Sequence, residues 1–473
     1  MSRVAAVDIG AGSGRVVVCD LVAGVPSLTE VSRFPNGPSL VDGRWTWDVE
    51  TLHRSVADGL AHAVALGAGS CGIDTWAIDY GVVDRAGSLI GPVMAYRDDR
   101  HALGVDRARS ALAWDRHYAI TGIQHLQFNT AYQLAVDDRL RDDTSLLLVP
   151  DLLTFWLTGV RACDVTNAST TALVDPRTRA WSPEILSALA LPAGAFLSLD
   201  EPGLVRGPCL DDRLRGLPLV GVATHDTASA FAGTPVDDRD RALILSLGTW
   251  ALIGFESQTA VPSPESMALN VTHELGIDGT IRVLRNVSGM WLIDECRRAW
   301  AAADGVDPSI QWLLLAAAEC APFAAGFDID DASLVAPGQS PETIGHVLVG
   351  EWDGSRGSVI RTILESLVVR LAQRAEELDG LSTEPRSVIH VVGGASRIEV
   401  LMQWLADATG KQVVAGPVEA TALGNAVVQW MTTGVVASLG EARSLIAAMP
   451  EIREYHPAGS RQQWLRFAHR IAR

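Results

Sequence analysis

The segment RVAAVDIGAGSGRVVVCDL, residues 3–21, reads as two β-rich runs joined by a glycine-rich turn. Residues 242–257, ALILSLGTWALIGFES, repeat the plan: an apolar run, small residues around Gly248, then a second apolar run. Two copies of one strand-turn-strand device, about half the chain apart, predict two related domains and argue against a short-period repeat array. At 473 residues the chain exceeds what one hydrophobic core usually organises. The charged stretch VDDRDR, residues 236–241, follows Gly233, Thr234 and Pro235 and marks the expected boundary, giving domains 1–235 and 236–473. Helical patterns at 49–66, 358–378 and 398–409, and an amphipathic one at 460–473, alternate with strand-like runs, so the expected class is α/β. A cleft between the two domains is the expected site.

A hydrophobic fraction of 48% with 20% charged residues describes a globular chain with ample core. The net charge of −18 argues against nucleic acid or an anionic membrane as the main partner. A phosphate-bearing small molecule would then need local neutralisation by backbone amides or a cation. The six cysteines form no CxxC pair and are expected to be reduced and mostly buried. The opening MSRVAAVDIG reaches Asp8 before a signal-like stretch develops, and the apolar run 145–160 is interrupted by Pro150 and Asp151. A cytoplasmic protein, monomeric or homodimeric, is expected.

Three glycine-bearing turns suggest phosphate chemistry. In AVDIGAGSGR, residues 6–15, successive backbone N–H groups can form an anion-binding nest, Gly10, Gly12 and Gly14 admit close approach, and Asp8 can hold Mg²⁺ directly or through water. It matches neither GxxxxGK[ST] nor a GxGxxG that opens a helix. SLGTW, residues 246–250, offers Thr249 and Gly248, and also reads as an ordinary hairpin turn. HVVGGAS, residues 390–396, is a strand ending in paired glycines before a helix. The order of the three is that of a two-domain ATPase.

GVATHDTASAF, residues 221–231, places His225, Asp226 and Thr227 between a strand-like and a helix-like run. Asp and Thr there fit a helix cap. They equally fit a site at the carboxyl end of a strand, where Asp226 would accept a proton. Trp76, Trp250 and Trp291 read as core or cleft-wall aromatics, and AYRDDR, residues 95–100, as a surface loop or a site segment. His101, His117, His273 and His456 lack metal-ligand spacing, so zinc is not assigned.

Taken together, RFPNG (33–37), WTWD (45–48), GIDTWAIDYG (72–81), AYRDDR, GIQHLQFNTAYQL (122–134), TNAST (166–170), HDTASA (225–230), SLGTWALIGFES (246–257), RVLRNVSGMWL (282–292) and GPVEATALGN (416–425) carry a resemblance. The chain resembles the superfamily of sugar-kinase, actin and heat-shock-chaperone ATPases, which place two ribonuclease H-like domains around a central cleft. In detail it is similar to the FGGY carbohydrate kinases, in the branch acting on L-rhamnulose, over nearly its whole length.

That resemblance implies Asp226 as catalytic base, with His225, Thr227 and Asn286 touching the sugar. A substrate-contacting glycine of that branch is Ala77 here. Ala11, Gly12, Ser13, Gly14, Arg15, Thr249 and Gly393-Gly394-Ala395 would hold ATP, with Mg²⁺ at Asp8. The last turn lacks a third glycine, the neighbouring family asparagine is Ile398, and the nucleotide-side glutamine is Asp294. The implied reaction is ATP-dependent phosphorylation of the C1 hydroxyl of L-rhamnulose in rhamnose catabolism. Ala77 keeps open a sibling kinase for L-fuculose or another ketose. A catalytically quiet sugar sensor on the same fold is disfavoured by the retained Asp8 and Asp226.

Overall fold

The computed structural model describes residues 2–472 apart from 260, 335–337, 339 and 383. They form two compact units built from interleaved segments: Met1–Asp237, Glu256–Val283 and Glu419–Pro450 in one, Asp238–Phe255, Leu284–Val418 and Glu451–Arg473 in the other.

In the first unit the strands Val4–Ile9 and Ser13–Val22 make the expected hairpin, running in register from Val4 opposite Cys19 to Ile9 opposite Gly14. Every residue of Val4–Ile9 is buried, because the strand is covered on both faces; hence a near-continuous apolar run in place of alternation. The six-stranded sheet follows the order 205–208, 218–220, 71–75, 4–9, 13–22, 25–35. Strand Cys71–Thr75 is parallel to both Val4–Ile9 and Pro218–Val220, so three neighbouring strands present their carboxyl ends on one edge. Helix Val49–Ala65 is capped by the Asp48 side chain, which accepts from Thr51 N at 3.0 Å, and buries Leu52, Val56 and Leu60 in the core beside the sheet. Helix Ala420–Thr432 packs on Val4–Ile9. The run 145–160 divides into strand Ser145–Leu148 and helix Val149–Thr158, with Pro150 in the first turn, where its missing N–H costs nothing. Among the described residues no helix is long and apolar enough to cross a membrane.

The second unit repeats the device. The seven-stranded sheet that carries it follows the order 272–275, 281–288, 250–257, 242–247, 388–392, 412–415, 453–455, of which 272–275 and the start of 281–288 belong to the first unit's segments. Ala242–Leu247 and Trp250–Ser257 form an antiparallel hairpin, and Ala242–Leu247 runs parallel to Val388–Val392. Helices Arg356–Asp379, Glu399–Thr409 and Arg461–Ile471 correspond to the helical patterns of the sequence. All six cysteines are free thiols, five of them buried.

Candidate active site

The parallel edge of the first unit gathers the acidic residues. Thr75 N donates to Thr224 O at 2.9 Å and Trp76 N to Ile9 O at 3.1 Å, tying 224–226 and Ile9 to the end of strand Cys71–Thr75. Asp226 then begins helix Asp226–Ala232, whose N-cap is His225, and the His225 side chain makes no capping bond. The capping explanation for this Asp therefore fails. Its Oδ1 instead accepts from Thr227 Oγ1 at 3.1 Å and lies 3.3 Å from His225 Nε2. The side chain stays 32% exposed. Burial of the site pushes the Asp226 carboxyl above the usual range, His225 opposes this, and the Asp8 charge adds to it. A reachable carboxylate of raised basicity suits proton abstraction.

Behind His225 lies a pair that the sequence reading passed over. His225 Nδ1 is 3.3 Å from Glu274 Oε2, and Glu274 pairs with Arg282 at 3.0 Å, all within the first unit. A charged residue on each strand of a buried hairpin was the available signal.

Asp8 also sits at this edge. Its Oδ2 accepts from Arg15 Nε at 3.0 Å and Nη2 at 2.6 Å, and Arg15 further pairs with Glu419. Opposite Asp8 in register is Asp74, fully buried, with Oδ2 accepting from Asn425 Nδ2 at 2.7 Å and Oδ1 unpartnered among the described residues. Burial, followed by the charges of Asp8 and Asp226, pushes the Asp74 carboxyl well above the usual range. It was another residue without an assigned role.

The first turn is closed by Gly10 N donating to Ser13 O at 2.9 Å. Ala11 and Arg15 are half-buried, Gly12 and Ser13 exposed. A Cβ on Gly12 would meet nothing within 4 Å, whereas one on Gly14 would lie 2.1 Å from the Phe34 ring. Gly14 thus has a packing reason of its own, while Gly12 leaves open space above the turn.

Ala77 lies half-buried in the bend after strand Cys71–Thr75, followed by Ile78 at φ 70°, an unusual conformation for a β-branched residue. Asp79 anchors this bend: its carboxylate accepts from Trp47 Nε1 (2.6 Å), Trp76 Nε1 (3.0 Å), Gln133 Nε2 (3.1 Å) and Tyr96 N (3.1 Å). Trp76 is accordingly a buried wall residue. AYRDDR is not a plain surface loop, since Asp98 is buried and accepts from Trp45 N at 3.1 Å.

In the second unit Ser246 lies opposite Val392, so the SLGTW and VVGGAS turns occupy one carboxyl edge of adjacent parallel strands. Thr249 is exposed, and its carbonyl accepts from Trp291 N at 3.2 Å, while Met290 N donates to Gly248 O at 2.9 Å. Gly393 has φ 93°, and a Cβ there would lie 2.8 Å from Leu247 O; both facts require glycine. Gly394 is exposed with open space beside it, and Ala395 is buried. Asn286, on strand Ile281–Ser288, has its Oδ1 buried and unpartnered among the described residues. Asp294 lies in the first turn of helix Trp291–Asp304, 39% exposed and 3.6 Å from Arg297. Trp250 is 41% exposed and so is not a core residue.

With this geometry in hand, comparison with known proteins is specific. Residues 4–232 match the N-terminal domain model of the FGGY family of carbohydrate kinases and residues 243–433 its C-terminal domain model. A protein named rhamnulokinase from Bacteroides thetaiotaomicron is 38% identical over 468 residues, spanning 96% of this chain and 95% of its own. Another of that name from Bacillus subtilis is 34% identical over 464 residues, with 96% and 95% covered. Among solved structures, Plasmodium falciparum glycerol kinase with ADP superposes with a TM-score of 0.82 at 16% identity, covering 99% of this chain and 97% of that one. Xylulose kinase from Rhodospirillum rubrum gives 0.79 at 18% identity, covering 99% and 97%. The α/β fold with two domains is that of the sugar kinases, and with both domain models matched along the chain, the protein belongs to the FGGY family of carbohydrate kinases.

Proposed function

We propose that the protein is an ATP-dependent kinase that phosphorylates the C1 hydroxyl of L-rhamnulose to give L-rhamnulose 1-phosphate. The observation that carries the substrate is similarity at 34–38% identity, over nearly the whole chain, to proteins named rhamnulokinase. The chemistry rests on Asp226. As the sugar O1 bonds to the γ-phosphorus, its proton passes to the Asp226 carboxylate. The bond from that phosphorus to the bridging oxygen breaks, and its electron pair leaves with ADP. Little covalent help is needed beyond this, so positioning and charge stabilisation dominate.

His225, Thr227 and Asn286 are assigned to the sugar, with Ala77 at its edge. Ala11, Gly12, Ser13, Gly14, Arg15, Thr249, Gly393, Gly394 and Ala395 are assigned to ATP, and Asp294 to the nucleotide side. The unpartnered Oδ1 of Asn286 and the open space at Gly12 and Gly394 support these roles. Among the described residues no group of three or more His, Cys, Asp or Glu is arranged to hold a metal. That fits Mg²⁺ arriving on the ATP phosphates, which asks the protein for only one or two carboxylates. Asp8 would hold it, since Arg15 occupies only Oδ2, and the ion would neutralise phosphate charge.

Measuring ADP release across a panel of ketoses tests the reading. L-rhamnulose should give the highest kcat/KM. A preference for L-fuculose would move the assignment to the sibling kinase, a shift that Ala77 makes accessible because one methyl group changes discrimination by about 1–3 kcal/mol. ATP turnover indifferent to every ketose would overturn the kinase assignment.

A further inference from the structure

Glu274 and Arg282 face each other across the hairpin formed by Thr272–Leu275 and the start of Ile281–Ser288. Arg282 has no exposed surface, and Glu274 is 8% exposed. The guanidinium is fixed from three sides: Nε and Nη2 donate to Leu275 O at 3.3 and 3.2 Å, Nη2 lies 3.0 Å from Glu274 Oε2, and the group rests 5.8 Å from the Phe231 ring centroid. Burial alone would push the Glu274 carboxyl up, yet Arg282 and His225 hold it below the usual range, so it is an anion. Burying such a pair is costly, and substituting apolar residues of similar size is often neutral or stabilising. Its placement suggests what it does. The pair ends on the imidazole of His225, with Nδ1 at 3.3 Å from Glu274 Oε2 and 3.2 Å from Arg282 Nη2. The opposite nitrogen, Nε2, lies 3.3 Å from Asp226 Oδ1.

We propose that Glu274 and Arg282 are positioning residues for phosphoryl transfer: Arg282, held by the Glu274 charge, donates to Nδ1 of His225, so that the Nε2 side of the imidazole and Thr227 hold Oδ1 of Asp226 and Oδ2 is presented to the sugar hydroxyl. The inference rests on Asp226 being the base. Proton and electron flow are unchanged: the O1 proton goes to Oδ2, and the pair acts only through the orientation of His225. A ring contacted at both nitrogens is restricted in its rotation, which a contact at Nε2 alone would not achieve. Because Oδ1 is occupied by the His225 and Thr227 contacts, rotation about the carboxylate bond is restricted, and the base is organised before the sugar arrives.

The test is a double-mutant cycle on the full chain with ATP, Mg²⁺ and L-rhamnulose, using Glu274→Gln, Asp226→Asn and the double variant. Glu274→Gln keeps the shape and removes the charge that holds Arg282 against Nδ1. It should lower kcat at least about 10-fold, the scale of a misdirected catalytic group, while KM for ATP stays within about 3-fold. In the Asp226→Asn background the same substitution should cost nothing further, since there is no base left to aim. An equal loss in both backgrounds, or wild-type kcat in Glu274→Gln, overturns the positioning role. Wild-type kcat in Asp226→Asn alone instead overturns the base assignment, so the two failures are distinct. Should Glu274→Gln fail to fold, ¹⁵N-histidine NMR of the wild-type protein, with His225→Gln for assignment, replaces it. A single tautomer with its proton on Nε2, in which Nδ1 accepts from Arg282 and Nε2 faces Asp226, supports the clamp, and a protonated Nδ1 or exchange between tautomers contradicts it.

Discussion

Two nitrogens of Arg15 converge on one oxygen of Asp8, at 3.0 and 2.6 Å, while Oδ1 of Asp8 receives neither. The arginine therefore fixes the carboxylate and blocks half of it, and only Oδ1 is left for a cation. Asp8→Ala should raise the Mg²⁺ concentration needed for half-maximal turnover and lower kcat by about 10². Sugar affinity, read by calorimetry without nucleotide, should change by less than about 3-fold, because the proposed role of Asp8 is on the phosphate side and not the sugar side. An unaltered Mg²⁺ titration would remove Asp8 from the metal site.

The pH dependence has a definite sign. A base works when ionised, so activity rises with pH through the Asp226 pKa. Burial first, and the Asp8 charge in addition, place that pKa above the ordinary Asp value of about 3.9. The acid limb of kcat/KM for the sugar should accordingly have its midpoint above that value. Asp8→Asn removes a like charge and should shift the limb to lower pH, whatever it does to the plateau. A limb that does not move, or moves upward, would contradict the charge coupling.

Glycines in the first turn should separate packing from ligand approach. A methyl group at Gly14 would strike Phe34, so Gly14→Ala should destabilise the fold by about 1–3 kcal/mol, with partial relief from Phe34→Leu. Gly12→Ala adds its methyl to open space, so the melting temperature should hold while KM for ATP rises. If Gly12→Ala leaves ATP kinetics untouched, the turn is not a phosphate cradle.

Much of this was legible in the sequence, for physical reasons. The paired hairpins announced themselves because a strand buried on both faces must be continuously apolar, and their turns because glycine punctuates them. Asp226 could be placed at a strand end, though only the structure shows that it leaves helix capping to a residue with no capping bond. Asp74 stayed illegible, since a buried charge on a strand carries no periodicity and finds its partner through the tertiary fold, while Glu274 and Arg282 left only the signal of one charge on each strand of an apolar hairpin. Gly14 shows the reverse: its turn position suggested a ligand, and its nearest constraint is a phenyl ring 20 residues on, beyond the reach of local pattern. The return of Glu419–Pro450 to the first unit has no local signal either.

Asp74 offers a test of buried charge through stability. Its folded pKa lies well above the unfolded value, so as pH rises from about 4 towards the folded pKa, folding increasingly loses stability to the need to keep that carboxyl protonated. Asp74→Asn imitates the neutral acid and can still accept from Asn425. The melting temperature of the variant, relative to wild type, should rise with pH over that window. A difference independent of pH would mean that Asp74 is not held neutral.

The most direct measurement is turnover by Asp226→Asn. The change keeps the shape of the side chain and removes its ability to take a proton. With melting temperature and calorimetric binding of ATP and L-rhamnulose close to wild type, kcat should fall by about 10²–10⁴, the range for a lost general base. Wild-type turnover by that folded, ligand-binding variant would contradict the assignment of Asp226 as the base that receives the sugar proton.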